Sequence, residues 1–199
     1  FNVLLPSVFL AKAGFNVLSI DLRDHGGSTC EDSRHSAGQK EYQDIITAIK
    51  WLNKEKNIPN NKMGIHGISG GAIATLIAAT KVADIKAFSL DSPIFDFNKA
   101  AKDEVVWQGY PGFFWSLAYL AGRIRGVDLN KITPMNGIDS LNDRYLQIFH
   151  GTNDTRVSFS NSVEMYNYAK SKNINVKFHK FVNADHTEGI LIDPIRYYK

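Results

Sequence analysis

With 199 residues, 44% of them hydrophobic, the chain is long enough to form one domain with a sizeable core. Its net charge of +3 is small and its Lys and Arg residues are scattered, which excludes the electrostatic footprint of a nucleic-acid-binding protein. The single cysteine excludes an intrachain disulfide and favours a reducing, cytoplasmic compartment, and no apolar run approaches the ~20 residues of a membrane span.

Strand-like and helix-like segments alternate along the chain, a pattern typical of βαβ units that build a parallel sheet. In chain order we predict a helix over 3–13, a strand over 15–21, a helix over 41–56, a strand over 62–66, a helix over 71–83, a strand over 84–91, a strand over 144–151, a helix over 158–172, a strand over 175–182 and a helix that begins after His186. The sequence therefore predicts an α/β protein with about five visible strands and helices on both faces of the sheet.

The pentapeptide 67–71, GISGG, carries the clearest chemical signal. It fits the pattern G-x-S-x-G and lies between a predicted strand and a predicted helix, the setting of a nucleophile elbow. In such an elbow a Cβ at Gly67 or Gly71 would collide with the neighbouring strand or helix, Ser69 would stand above the sheet, and the Gly70 N–H would bind a developing oxyanion. The alternative is a glycine-rich turn with a solvent-facing serine.

A serine nucleophile needs a base, and the base needs an orienting carboxylate. Of the six histidines, only His186 lies in a loop after the last predicted strand, at the edge of the sheet where ligands bind in α/β folds. Two acids precede it on the same edge. We favour Asp154 over Asp91, which we interpret as a turn or capping residue. Asp185 is adjacent to His186 in sequence and is not expected to face its imidazole.

Several motifs resemble those of the α/β-hydrolase superfamily. The order Ser69, Asp154, His186 resembles its order of nucleophile, acid and histidine. The family's strand and R-G-H-G-x-S loop resemble VLSIDLRDHGGST, where Asp24 stands at the usual glycine. Its D-S-P turn resembles IKAFSLDSP, its H-G-x-x-D-x-x-V acid loop resembles LQIFHGTNDTRVS, and its histidine loop resembles NADHT. The resemblance covers nearly the whole chain and is strongest to small esterases of the prolyl-oligopeptidase-like type.

The resemblance implies a serine hydrolase that cleaves a carboxylic ester. Ser69 would attack the carbonyl, His186 would act as general base, Asp154 would orient the imidazole, and Gly70 would contribute to the oxyanion hole. The substrate would be a small ester or acyl compound, with no metal or organic cofactor. Two alternatives stay open: a peptidase or amidase of the same prolyl-oligopeptidase-like type, and a non-catalytic α/β-hydrolase-fold binding protein.

The resemblance also suggests that the chain is part of a longer protein. Family members carry additional strands before the first helix, and a turn after the third strand supplies a second oxyanion donor. Because FNVLLPSVFLAKAG resembles the helix after that turn, we expect the N-terminal strands and the C-terminal end of the parent to lie outside these residues. We expect the 199 residues alone to be poorly active or unstable.

An aromatic-rich stretch interrupts the strand–helix alternation. We interpret residues from about 98 to 140 as a helical cap insert in a single domain whose core comprises 1–97 and 141–199. The insert would lie above the nucleophile. Its aromatic side chains would either line an acyl pocket or pack the cap onto the core: Trp107, Tyr110, Phe113, Phe114, Trp115 and Tyr119.

Overall fold

The computed structural model describes residues 4–31, 36–124 and 128–198. Its sheet has four parallel strands in the order β1-β2-β3-β4. The strands are Gly64–Ile68 (β1), Ala87–Asp91 (β2), Tyr145–Gly151 (β3) and Asn175–Phe181 (β4). The α-helices of the described residues are Leu4–Lys12 (α1), Tyr42–Lys56 (α2), Gly70–Ala79 (α3), Phe97–Trp107 (α4), Trp115–Ile124 (α5), Pro134–Asp139 (α6), Ser160–Ser171 (α7), Gly189–Ile192 (α8) and Pro194–Tyr197 (α9).

Helices cover both faces of the sheet, as the sequence predicted. Successive side chains of a strand point to opposite faces, so β3 contributes to two cores. Leu146 and Ile148 join the main core, which contains residues of α3 and α7, whereas Phe149 joins a second cluster with Ile190 of α8 and Tyr197 of α9. The α/β fold class is therefore confirmed.

The predicted strand over 15–21 is wrong. The segment is not part of the sheet, which has β1 as one edge, so the described sheet has four strands rather than five. An apolar strand needs neighbours that pair its backbone and cover its faces. Within the described chain, residues 15–21 lack such neighbours, and side chains at both odd and even positions stay exposed: Phe15 is 64% exposed and Leu18 is 44% exposed.

Helix α3 fills the interior beside the sheet and fixes the position of the turn before it. Its residues from Ala72 to Ala79 are all buried, because small and branched apolar side chains let neighbouring elements approach closely. Helix α6 approaches it closely: a Cβ on Gly137 would lie 2.6 Å from the Leu76 carbonyl oxygen. Although α6 falls within the predicted cap insert, it packs against α3 in the core.

The carboxyl ends of the four strands meet at one edge of the sheet. Ile68 pairs with Asp91, and Gly151 pairs with Phe181. In a parallel sheet, the loops that follow such aligned ends lie side by side. The loops after β1, β3 and β4 carry the predicted nucleophile, acid and histidine, so the topology alone brings these three loops together.

Candidate active site

Ser69 connects β1 to α3 through a strained turn. Its backbone angles, φ 52° and ψ −116°, lie outside the regions that L-residues ordinarily adopt. Such a conformation costs about 1–3 kcal/mol and persists only where the surroundings impose it. Here the Ser69 N–H donates to the Asp91 carbonyl oxygen at 2.8 Å, which holds the turn against the end of β2. The strand–turn–helix setting predicted for the pentapeptide is present.

The two flanking glycines differ in the space around them. A Cβ at Gly67 would lie 2.5 Å from both the Gly71 carbonyl oxygen and Thr75 Oγ1, so this position requires glycine. A Cβ at Gly71 would meet nothing within 4 Å. The expectation that both positions forbid a side chain is therefore wrong for Gly71, whose Cα faces open space at the first turn of α3.

The imidazole of His186 lies between Ser69 and Asp154. His186 Nε2 is 3.0 Å from Ser69 Oγ, and His186 Nδ1 is 2.8 Å from Asp154 Oδ2. Because an ionised carboxylate can only accept a hydrogen bond, Nδ1 carries the proton and donates a hydrogen bond to Asp154. Nε2 is then left as the acceptor for the Ser69 hydroxyl. This is the geometry of a nucleophile, a general base and an orienting acid.

The Asp154 carboxylate is fully buried and surrounded by donors. Its side chain is 0% exposed, and its Oδ1 accepts hydrogen bonds from the backbone N–H groups of Arg156 at 3.0 Å and Val157 at 2.7 Å. Burial alone would raise the pKa of Asp154, but hydrogen bonds from His150, His186 and the Val157 N–H outweigh it and hold that pKa well below its usual value. The carboxylate therefore stays charged at neutral pH.

Asp91, the rival acid, has a different partner. Its Oδ2 accepts from the Tyr197 hydroxyl at 2.6 Å and its Oδ1 from Ser92 Oγ at 3.1 Å. Burial raises the pKa of Asp91, and its two hydroxyl donors offset this only in part. The structure thus brings Asp154, and not Asp91, into hydrogen-bonding contact with His186.

Asp185 has a role that sequence reasoning missed. Its Oδ1 accepts from the Thr155 N–H at 2.8 Å and from the His186 N–H at 2.7 Å, so one carboxylate ties the acid loop to the histidine loop. As expected, it does not contact the imidazole of His186. Its position next to His186 was the available signal, but which backbone groups it meets depends on how the two loops are juxtaposed.

Of the remaining described histidines, His150 lies against Asp154 and the other three lie elsewhere. His25 contacts the Arg23 carbonyl oxygen, His66 contacts Ser89 Oγ, and His179 stacks on Phe149. His35 lies outside the described residues. In the part of the chain that the structure describes, His186 is thus the histidine that contacts Ser69.

Gly70 is the first residue of α3, so its N–H has no acceptor within the helix. It follows Ser69 directly and lies at the positive end of the α3 dipole. Both features suit an oxyanion donor, which is the role predicted for it.

The aromatic side chains of the cap insert are largely exposed. Phe113 stacks on Phe114 with ring centroids 4.5 Å apart, and Trp115 and Tyr119 contact each other. Only Trp107, of the six, lines a cavity of about 310 Å³ between α4 and the acid loop. The walls of that cavity are mixed: the residues that line it include Lys102, Asp103, Val106, Asp154 and Arg156.

Two other kinds of site are absent from the described residues. Within residues 4–31, 36–124 and 128–198, no cluster of His, Cys, Asp and Glu side chains is arranged to hold a metal ion. Over the same ranges, no helix combines the length and apolar character needed to cross a membrane.

Comparisons with known proteins converge on one family. The model of the prolyl oligopeptidase family matches residues 4–193. Dipeptidyl aminopeptidase BIII of Pseudoxanthomonas mexicana is 28% identical over 185 residues, which is 89% of this chain and 27% of that protein. Inactive dipeptidyl peptidase 10 of Rattus norvegicus is 28% identical over 180 residues, or 88% of this chain and 21% of that protein. The chain thus spans about a quarter of the length of these curated relatives.

Solved structures give the same fold. The Pyrococcus furiosus esterase Pf2001 has a TM-score of 0.76 and 26% identity, and the alignment covers 98% of this chain and 71% of the esterase. The acylaminoacyl peptidase of Pyrococcus horikoshii has a TM-score of 0.64 and 22% identity, with 82% of this chain and 26% of the peptidase covered.

Proposed function

This chain belongs to the prolyl oligopeptidase family of serine hydrolases, and we propose that it cleaves a carboxylic ester by acyl transfer to water through an acyl-enzyme on Ser69. The observation that carries the proposal is the contact of His186 with Ser69 Oγ on one side and Asp154 on the other. The reaction would be that of a carboxylesterase.

The proposed reaction assigns a group of this chain to each step. Ser69 O–H donates to His186 Nε2, which takes the proton as the oxygen attacks the carbonyl carbon. The imidazolium that forms is stabilised by Asp154, whose depressed pKa keeps it anionic. The Gly70 N–H binds the developing oxyanion. His186 then returns the proton to the leaving alcohol and activates the water that hydrolyses the acyl-enzyme.

The comparison with the esterase supports ester over peptide cleavage. Its alignment covers 98% of this chain and therefore includes most of the cap insert, whereas the acylaminoacyl peptidase accounts for 82%. Residues of the cap insert thus have a counterpart in the esterase, and substrate choice depends on such local sites rather than on the fold itself. Peptide cleavage by the same residues is the second candidate, because dipeptidyl aminopeptidase BIII is similar over 89% of this chain.

A non-catalytic binding role is the third candidate, since two relatives carry the word inactive in their names. Against it stands the strained backbone at Ser69, with φ 52°. Strain of this kind lowers stability, and a binding module gains nothing from it. The charged, buried carboxylate of Asp154 is a second costly feature that only the catalytic role uses.

The test is labelling of the full-length protein with a fluorophosphonate probe, wild type beside Ser69→Ala. Labelling that disappears in the variant would support an activated serine at position 69. Turnover of p-nitrophenyl esters from acetate to octanoate is then compared with that of dipeptidyl and acylaminoacyl p-nitroanilides. Faster ester turnover supports the proposal, and faster anilide turnover replaces it with a peptidase. A folded wild type that is not labelled would overturn both catalytic roles.

A further inference from the structure

A second histidine lies behind the proposed acid. His150 is the penultimate residue of β3, and its side chain is 0% exposed. Its Nε2 is 2.9 Å from the Val157 carbonyl oxygen and 3.0 Å from Asp154 Oδ2. Oδ2 is the same oxygen that accepts the proton of His186 Nδ1. Two imidazoles therefore meet at one carboxylate oxygen.

The surroundings of His150 determine which of its nitrogens carries the proton. Nε2 faces a carbonyl oxygen and a carboxylate oxygen, neither of which has a hydrogen to give, so Nε2 must be the donor. Its N–H is shared between these two acceptors. On the opposite side, Nδ1 lies 2.6 Å from Ser162 Oγ in α7. A neutral ring then accepts the Ser162 O–H at Nδ1 and donates from Nε2, and both of its nitrogens are satisfied.

With His150 counted, every acceptor position of the Asp154 carboxylate is occupied. Oδ1 takes two backbone N–H groups, and Oδ2 takes His186 Nδ1 and shares the His150 N–H. The other charged or titratable groups that act on this cluster include His186 from the histidine loop, Asp185 beside it and Asp91 from the end of β2. Without His150, Oδ2 would keep a single partner, and the carboxylate could turn toward the space that the ring had filled.

We propose that His150 is a positioning residue of this reaction: its Nε2–H holds Asp154 Oδ2 in the orientation that His186 needs. This proposal rests on the catalytic role of Ser69, Asp154 and His186. It acts through Asp154 and does not touch the substrate. A purely structural role, in which His150 only links β3 to α7 and to Val157, would alter stability but not the rate at an intact site.

The experiment compares variants that place an amide at either end of the ring. In His150→Gln the side-chain NH₂ reaches the position of Nε2 and can donate to both Asp154 and Val157. In His150→Asn it reaches only the position of Nδ1, beside Ser162. His150→Phe keeps the ring volume with no donor and serves if the Asn variant does not fold. His179→Phe is the matched control, because His179 stacks on Phe149, away from Ser69, Asp154 and His186.

The measured quantities are kcat and KM for p-nitrophenyl butyrate, with kcat expressed per site labelled by a fluorophosphonate. We expect kcat of the Asn or Phe variant to fall on the order of 10-fold with KM nearly unchanged, within the roughly 10²-fold that a 1 Å misplacement costs. The Gln variant and the His179 control should stay within about threefold of the wild type, since neither withdraws the donor.

Three results would separate the possible failures. If the wild type is labelled and active but the Asn, Phe and Gln variants all have its kcat per labelled site, the role of His150 is refuted while the serine hydrolase stands. If all three variants lose kcat equally, the donor at Nε2 is not what matters, and the inference is again wrong. If the folded wild type is not labelled at all, it is the proposed function that fails.

Discussion

Replacing Gly67 by alanine tests the reasoning about the elbow most directly, because Gly71 offers a matched control two residues beyond Ser69. The new methyl group at position 67 would lie 2.5 Å from the Gly71 carbonyl oxygen and 2.8 Å from the Gly71 carbonyl carbon. These are backbone atoms of the first turn of α3, so no flexible side chain can move aside. The strand end and the helix start must separate, and Ser69 lies between them.

The expected cost follows from that overlap. Forcing extra atoms into a packed site destabilises by about 1–3 kcal/mol, and a clash with backbone belongs at the upper end. For a domain of this size about 2–3 kcal/mol corresponds to a fall in Tm of roughly 4–12 °C. Displacing Ser69 from His186 Nε2 by an appreciable fraction of 1 Å should lower kcat by up to about 10²-fold.

The control should behave in the opposite way. Gly71→Ala adds a methyl group with nothing within 4 Å, and alanine favours the helix over glycine by about 0.5–1 kcal/mol. Its Tm should be unchanged or raised. Thermal unfolding and ester turnover per fluorophosphonate-labelled site measure both effects. If Gly67→Ala matches Gly71→Ala in Tm and in kcat, the close approach of β1 to α3 does not shape the elbow, and this account of Ser69 is wrong.

Two further predictions concern the buried carboxylates. Asp154→Asn should lower kcat by about 10⁴-fold, because an amide no longer enforces the Nδ1–H tautomer of His186. Because the folded-state pKa of Asp154 is depressed, the stability that this carboxylate contributes is complete above its unfolded pKa of about 3.9 and is lost as pH falls further. The free energies of unfolding of the wild type and of Asp154→Asn should therefore converge in acid. Convergence at neutral pH instead would contradict this. Tyr197→Phe removes the hydroxyl that donates to Asp91 Oδ2 at 2.6 Å and should cost about 1–3 kcal/mol at pH 7. Because burial raises the pKa of Asp91, lowering the pH protonates this carboxyl group and removes the charge that the lost hydrogen bond had stabilised. The Tm deficit of the Tyr197 variant should therefore shrink as pH falls, and a deficit that grows in acid would refute the role given to Tyr197 as a donor to charged Asp91.

The elbow could be predicted from the sequence because local rules determine it. A glycine two residues before the serine, a buried strand on one side and a small-residue helix on the other leave the chain few alternatives. His186 was found by topology, since the last loop of a parallel sheet opens at the ligand-binding edge. Neither inference needed knowledge of which side chains touch.

What depends on which groups come into contact in the folded chain could not be predicted. The difference between Gly67 and Gly71 rests on which neighbour faces each Cα, and the pattern G-x-S-x-G treats the two alike. Asp185 meets Thr155 across a separation of 30 residues, and His150 meets Asp154 only because the acid loop folds back over the end of β3. The segment 15–21 was misassigned for a related reason: its apolar pattern describes a strand, but pattern alone does not supply a neighbour.

The choice between Asp154 and Asp91 shows what decides an acid's role in this fold. Both carboxylates are buried and lie at the same edge of the sheet, so position alone left both open. Their donors differ. Asp154 is held by N–H groups, two from the backbone and two from imidazoles, which outweigh its burial and depress its pKa. Asp91 has two hydroxyl donors, and its pKa stays raised. The base needs a permanently charged partner, and the donor set of Asp154 is the one that keeps a buried carboxylate charged at neutral pH.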